Sequence, residues 1–346
     1  MTTFYRIIRF IFKHYNPIYF RNFRVIGKEN IPQDGAILFS PNHQNALLDP
    51  LLVGTTANQS IHSLTRSDVF GGPLQWFLDA MQTLPVYRIR DGYSQLKNND
   101  EVFERCYEIL GQKKHMMMFS EGRHHEEHYL LPLSKGSSRL VMEAQLRQPK
   151  HAIYLQPVGL NYGNHLYAQN DCVVVFGKPI DVRKYVDAYN EHAAKGLNTL
   201  RKDLQIAMEA CLWLPKNDEY YTNKKPFINR KNTKLPFDVL KKELEKEQPQ
   251  LKRANRKTVF DQLMVGLFSL PNLPFHLTIR WLLSLFRDPV FYGSMNYLGS
   301  FFFCLCWWTL GAVGFTQAVG LFWGISFLAL SISSLYLRQL FVNRSL

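Results

Sequence analysis

Apolar positions recur with three different spacings along the chain, and each spacing predicts a different kind of element. Near the N-terminus Phe4, Ile7, Ile8, Ile11, Phe12 and Tyr15 fall at helical intervals, the stripe of an amphipathic helix. Arg6, Arg9 and Lys13 occupy the other side, and residues 1–28 hold six basic and no acidic residues. That pattern suits a basic helix lying in a lipid headgroup layer, and equally one packed on a domain. Arg9 and Lys13 cut the longest uncharged run, which argues against a secretory signal peptide.

Through residues 30–215 short apolar runs alternate with helical patterns. The runs predict strands at Ala36–Ser40, Ile61–Thr65, Leu84–Ile89, His115–Ser120, Ile153–Val158 and Cys172–Phe176. Helical spacing predicts helices near 46–56, 94–112, 136–147 and 196–213. Alternation of this kind favours an α/β domain with a largely parallel sheet.

The third pattern lies at the other end, where the 49 residues from Pro289 to Leu337 contain no Asp, Glu, Lys or Arg. A bilayer crossing needs about 20 apolar residues, so this run has room for two spans and a turn. The spans are expected near Tyr297–Phe315 and Ala318–Leu337, with the turn at Thr316-Gln317. Arg280 and Arg287 precede them and Arg338 and Arg344 follow, so both ends are expected on the cytoplasmic side. The competing reading is a buried helical hairpin of a soluble domain.

Composition sharpens the picture. Lys and Arg number 41 against 28 Asp and Glu, a net charge of +13, which suggests an anionic partner: nucleic acid, lipid headgroups or an acidic carrier. Residues 224–257 alone carry twelve basic and four acidic residues, with Leu235-Pro236 and Gln248-Pro249 bracketing a short charged helix. This reads as a solvated basic insert, or as a surface for anionic lipid or an acyl carrier protein. Five cysteines, at 106, 172, 211, 304 and 306, include no Cys-x-x-Cys pair and argue against a disulfide scaffold or a cysteine zinc finger.

Four blocks could carry chemistry. Pro41-Asn42-His43 to Asp49-Pro50 follows a strand; a histidine held by a carboxylate is a general base near neutral pH. Six residues apart on an ideal helix, His43 and Asp49 would face different sides, so their pairing requires a loop or a broken turn. Val86-Tyr87-Arg88 ends another strand, where an arginine can hold a phosphate with its fork of donors. Phe119-Ser120-Glu121-Gly122 places a carboxylate at a sheet's carboxyl edge, followed by Ser134-Lys135-Gly136. Gln156-Pro157-Val158 to Tyr162 is the last.

In this order the blocks resemble the glycerolipid acyltransferase family, which includes glycerol-3-phosphate and lysophosphatidate acyltransferases, over roughly residues 20–215. Asn42-His43 and Asp49 match its His-Asp motif, Val86-Tyr87-Arg88 its arginine block, Phe119 to Gly122 its Phe-Pro-Glu-Gly block and Pro157-Val158 its final strand; Phe176-Gly177-Lys178-Pro179-Ile180 is similar to the strand that often follows. Five residues separate His43 from Asp49, one more than usual, which is similar to fungal-type glycerol-3-phosphate acyltransferases, as are the C-terminal apolar helices. Ser120 replaces the usual proline, and Arg123-His124 stands where Thr-Arg usually follows Glu-Gly.

The resemblance implies an α/β fold, a mixed and mostly parallel sheet flanked by helices, with an N-terminal amphipathic helix (1–20) and a C-terminal transmembrane hairpin (289–346). The acyltransferase domain would span 21–222 and a basic insert and linker 223–288. It implies His43 and Asp49 as catalytic residues, and Asn42, Arg88, Glu121, Gly122 and Lys135 at the substrate, with Arg88 and Lys135 on a phosphate and Glu121 on glycerol hydroxyls or securing the site. No metal and no cofactor are expected, the acyl thioester of CoA or of acyl carrier protein being a co-substrate. The implied partners are membrane lipid, the thioester and a glycerol phosphate acceptor, without nucleic acid, at an inner or cytoplasmic membrane. A lyso-aminolipid is an alternative acceptor.

Rival classes leave weaker traces. His124-His125-Glu126-Glu127-His128 formally matches the inverted zincin pattern, with His124, Glu127 and His128 as metallohydrolase residues. Gly136-Ser137-Ser138-Arg139-Leu140 lacks the last glycine of a serine-hydrolase elbow. Nucleic-acid binding rests on charge alone.

Overall fold

The computed structural model describes residues 3–72, 75–87, 98–286 and 288–345. In chain order the elements begin with α1 (Thr3–Tyr19), β1 (Asn22–Ile26), β2 (Ala36–Pro41), α2 (Leu48–Thr56), β3 (Ile61–Arg66), α3 (Gln75–Ala80) and β4 (Thr83–Val86). Then follow α4 (Asn98–Gly111), β5 (His115–Met117), α5 (Gly136–Arg147), β6 (Ile153–Tyr162), β7 (Asp171–Phe176) and β8 (Ile180–Asp181). The remainder is helical: α6 (Val186–Glu191), α7 (Ala193–Ala210), α8 (Tyr221–Lys224), α9 (Phe237–Glu245), α10 (Val259–Ser269), α11 (Leu273–Ser284), α12 (Val290–Val319) and α13 (Leu321–Val342).

The strands form one sheet in the order β1-β7-β6-β2-β5-β3-β4, with β8 beside β6. Strands β6, β2, β5, β3 and β4 run parallel, and the antiparallel pairing of β6 with β7 makes the sheet mixed. Successive side chains of a strand point to opposite faces, and β2 buries both. Ala36 and Leu38 join Leu110, Leu140 and Leu204 on one side, while Ile37 and Phe39 join Leu48, Leu52 and Phe12 on the other. The parallel strands therefore share one carboxyl edge, where α/β ligand sites gather.

Five of the six expected strands lie in place within a few residues; of Leu84–Ile89, Leu84 to Val86 form β4, Tyr87 lies past its end, and Arg88 and Ile89 are outside the described residues. Strand β1 was not expected: Asn22 and Arg24 interrupt its apolar pattern. Both find partners inside the fold, Asn22 on Asp171 and the two terminal nitrogens of Arg24 on the carbonyls of Leu235 and Thr233.

The ends depart further from expectation. Helix α1 turns Tyr5, Phe12, Asn16 and Tyr19 inward and leaves Ile7, Phe10 and Ile18 exposed. Its apolar stripe is thus divided between the protein and the surroundings. The two apolar helices are longer than expected, at 30 and 22 residues, or about 45 and 33 Å. Both are long and apolar enough to cross a membrane. The turn falls at Gly320, whose φ of 104° favours glycine, and not at Thr316-Gln317, which lie inside α12.

The basic segment is more than a solvated insert. Helix α9 buries Phe237, Leu240 and Leu244 against Val173, Val175 and Trp213 of the domain. Helices α10 and α11, in the stretch expected to be linker, pack along the apolar pair: Phe275 and Ile279 cluster with Cys304.

Candidate active site

Strand β2 ends at Pro41, and the next residues form an irregular loop that delivers His43 to the carboxyl edge of the sheet. Asp49 sits in the first turn of α2 and is fully buried. The loop wraps around its carboxylate. Oδ2 accepts the backbone N–H of Gln44 and of Asn45, each at 2.7 Å, and lies 2.9 Å from Nδ1 of His43. Oδ1 accepts the hydroxyl of Tyr162, the last residue of β6, at 2.6 Å. Four donors thus meet one buried carboxylate, as burial of such a group demands. The non-helical loop before α2 lets His43 and Asp49 meet across five intervening residues.

The carboxylate fixes the imidazole: with Nδ1–H donating to Asp49, Nε2 is the basic nitrogen. The ring stacks on Phe119 at 3.8 Å between centroids, 18° from parallel, and the His124 ring meets it edge-on at 5.7 Å. The His43 side chain is 14% exposed, enough to reach a ligand from outside. Burial, then the neighbouring His43, hold the His124 imidazole below its ordinary pKa, against the opposing pull of Asp288 at 3.1 Å.

A second carboxylate locks the loops. Glu121 Oε1 accepts the backbone N–H of His43 at 2.8 Å, Oε2 accepts that of Leu131 at 2.9 Å, and His125 Nε2 lies 3.3 Å away. The His125 N–H returns to the His43 carbonyl at 3.2 Å. Asn42 spends both ends of its amide on Leu160 of β6, at 3.1 and 2.7 Å. In this structure Asn42 and Glu121 therefore clamp backbone. Gly122 turns the chain at φ 69°, and Lys135 is exposed at the start of α5. Arg88 lies outside the described residues; Tyr87 just before it is pinned to Asn99 through N–H and carbonyl at 2.9 and 2.7 Å.

The arrangement is an imidazole with an orienting carboxylate at the carboxyl edge of the parallel strands. A family model described as Acyltransferase matches residues 22–161, the span that holds β1 through β6 and the His43–Asp49 pair. Residues 22–161 belong to the acyltransferase family.

Two curated proteins of Saccharomyces cerevisiae (strain ATCC 204508 / S288c) are similar to parts of this chain. Glycerol-3-phosphate O-acyltransferase 1 is 27% identical over 146 residues, 40% of this chain and 19% of that protein. Glycerol-3-phosphate O-acyltransferase 2 is 26% identical over 113 residues, 32% of this chain and 15% of that one. The matches thus span less than a fifth of the length of either relative. A crystal structure of the 1-acyl-sn-glycerophosphate (LPA) acyltransferase, PlsC, from Thermotoga maritima aligns with a TM-score of 0.45 at 17% identity, covering 60% of this chain and 78% of that one.

The acyltransferase domain does not assemble the rival sites. The stretch from His124 to His128 is irregular, and its side chains diverge: His124 pairs with Asp288, and Glu127 with Lys225 and Tyr221 at 2.6 Å each. Among the described residues no three His, Cys, Asp or Glu side chains gather as a metal site. Ser137 and Ser138 are fully buried in α5, without an exposed hydroxyl.

Sequence reasoning missed three contributors. Tyr162 was visible as a strand end, but nothing in the sequence ties it to Asp49. Asp288 and Ser294 sit at and within the apolar run, which reads as lipid-facing. Yet Ser294 Oγ accepts the N–H groups of Leu47 and Leu48, at 2.9 and 3.0 Å, beside the catalytic loop. Gly293 fits there only because it lacks a side chain: a Cβ would stand 2.1 Å from Asn45 Oδ1 and 2.4 Å from the His165 carbonyl.

Proposed function

We propose that this acyltransferase moves a fatty acyl group from a thioester, of CoA or of acyl carrier protein, to a hydroxyl of glycerol-3-phosphate or 1-acylglycerol-3-phosphate in phospholipid biosynthesis. The observation that carries the reading is the 2.9 Å contact of His43 Nδ1 with the buried Asp49 carboxylate, which leaves Nε2 as a base. The relatives' glycerol phosphate acyltransferase names support the acceptor class. The apolar helices support an integral enzyme with its site at the cytoplasmic face, where a product that carries an acyl chain can stay in lipid.

The chemistry is direct transfer. Nε2 of His43 takes the acceptor's hydroxyl proton as the oxygen attacks the thioester carbonyl, and Asp49 stabilises the imidazolium that forms. The tetrahedral intermediate collapses with loss of thiolate, which recovers the proton from the imidazolium. The new ester bond replaces the thioester, and no acyl-enzyme forms. Arg88, with Lys135, holds the acceptor's phosphate. The backbone clamps of Asn42 and Glu121 hold the base in register, which positioned proton transfer requires.

The test offers palmitoyl-CoA and palmitoyl acyl carrier protein to the detergent-purified chain with each acceptor, and follows thiol release. Release that depends on glycerol-3-phosphate or 1-acylglycerol-3-phosphate is expected, and its donor preference names the thioester. Release only with a lyso-aminolipid would contradict the phosphate acceptor and remove the role given to Arg88.

A further inference from the structure

The segment between the basic insert and the first apolar span folds back on itself against both spans. Helix α10 runs antiparallel to α13: Asp261 bonds Arg344, Ser269 bonds Arg338, and Phe268 stacks on Phe341. Helix α11 runs antiparallel to α12, from Pro271 and Asn272 beside Trp307 and Trp308 back to Ile279 against Gly299. The two short helices thus form a hairpin whose apex reaches the middle of each long helix. From Gly299 to Trp308 is about 14 Å of helix rise, and from Arg344 to Ser331 about 20 Å. Half of a hydrocarbon core is about 15 Å.

The apex is built for a place without water. Prolines 271 and 274 break the helix there, which frees backbone groups that hydrocarbon cannot satisfy. Asn272, with no exposed surface, bonds the Ser331 carbonyl and Ser334 hydroxyl at 2.8 and 3.0 Å and accepts the Trp308 indole N–H at 3.0 Å. The Pro271 carbonyl accepts the Trp307 indole at 3.1 Å. The outer faces carry opposite chemistry: Phe260, Leu263, Leu267, Leu270, Leu277 and Trp281 are 53–63% exposed. Around the mouth stand charges that suit headgroups, Arg253, Arg256 and Lys257 before α10 and Arg280 late in α11. Asp261, at the entry, is neutralised by Arg344 and capped by Thr258.

We propose that residues 258–286 are a re-entrant helical hairpin, inserted into one leaflet of the bilayer beside the two spans and covered by lipid acyl chains. The inference rests on the spans crossing a membrane. Lipid is the occupant because the exposed stripes continue the apolar surface of α12 and α13, and because the basic residues flanking the hairpin gather at its mouth, while the deeper Arg338 is half-buried and bonded to Ser269. A soluble surface with this many exposed large side chains in one patch would associate.

The test places one nitroxide at a time on the full-length chain, at Leu263→Cys, Leu270→Cys or Leu277→Cys, in vesicles of phosphatidylethanolamine and phosphatidylglycerol. The background carries Cys306→Ser, since Cys306 is exposed and the other four cysteines are buried. Leu310→Cys in α12 is the reference for lipid and Lys252→Cys the reference for water. Collisions with oxygen and with a neutral nickel chelate report depth. The hairpin predicts loss of nickel collisions at all three sites, to the level of Leu310, and the deepest position at Leu270. Nickel access at Leu270 with Leu310 protected would overturn the hairpin while leaving the spans in place. Access at Leu310 as well would show that the spans themselves fail, and the hairpin with them. Spin–spin broadening at Leu270 that vanishes on dilution with unlabelled protein would make a second copy of the chain the occupant, against the proposal.

Discussion

Ser294, in the first apolar helix, caps a helix of the catalytic domain: its hydroxyl accepts the backbone N–H of Leu48 at 3.0 Å across 246 residues of sequence, as well as that of Leu47. Helix α2 has no capping side chain of its own, since Leu47 occupies its N-cap. Asp49 lies in the turn so capped. The anchor and the candidate base are therefore one mechanical unit, with α12 holding the loop that aims His43.

Replacing Ser294 by alanine leaves two backbone donors without a partner, a loss of about 1–2 kcal/mol in local stability. The expected signature is a fall in kcat with KM for the acceptor nearly unchanged, because the loop that orients His43 loosens. Gly293→Ala should be more severe, as its Cβ must displace Asn45 or the His165 backbone. Steady-state kinetics beside thermal unfolding in detergent separate the two effects; unchanged kcat in both variants would show that the contact does not reach the site.

Tyr162→Phe removes one of the four donors to Asp49. The carboxylate that orients His43 is then held less firmly, and about 1–3 kcal/mol of stability should be lost, with kcat reduced. Unchanged kcat and melting temperature would mean that the Tyr162 hydroxyl does not hold the pair.

How much of this was legible in the sequence depends on the range of the interaction. The His43–Asp49 pair could be read because its partners lie six residues apart, and because a spacing unsuited to a helix already demanded a loop between them. The sheet was legible because strands such as β2 and β7 are built on short apolar runs bounded by turns. Ser294 was illegible: inside 49 uncharged residues a serine reads as a tolerated lipid-facing residue, and its partner is set only by tertiary packing. Helices α10 and α11 were missed for another reason. Pro271 and Pro274 divide the apolar stretch into pieces of 11 and 12 residues, too short to register as spans. Whether Glu121 meets glycerol hydroxyls or secures the site was left open, because position at a sheet edge is visible in sequence while hydrogen-bond partners are not.

Partly buried imidazoles set the response to acid. Burial pushes His128 down to about 3 and His165 down to about 4, and lowers His62, His115 and His124 as well. Each is neutral in the fold while the unfolded chain binds its proton near pH 6.5. The unfolded state thus takes up more protons as pH falls, so stability is full above about 6.5 and declines towards pH 4. Melting temperature should drop steadily between pH 7 and 4, and less steeply in a His128→Gln, His165→Gln double variant. A flat profile for the parent protein would contradict the lowered pKa values of these rings.

The central claim is that His43, held by Asp49, removes the acceptor's proton. The most direct measurement is single-turnover thiol release by His43→Ala beside the parent protein, with identical melting curves as the control for folding. A general base of this kind contributes about 10²–10⁴-fold, and the account predicts a loss at the upper end of that range, with the acyl donor still bound. Release by the folded variant at a rate near that of the parent would contradict it.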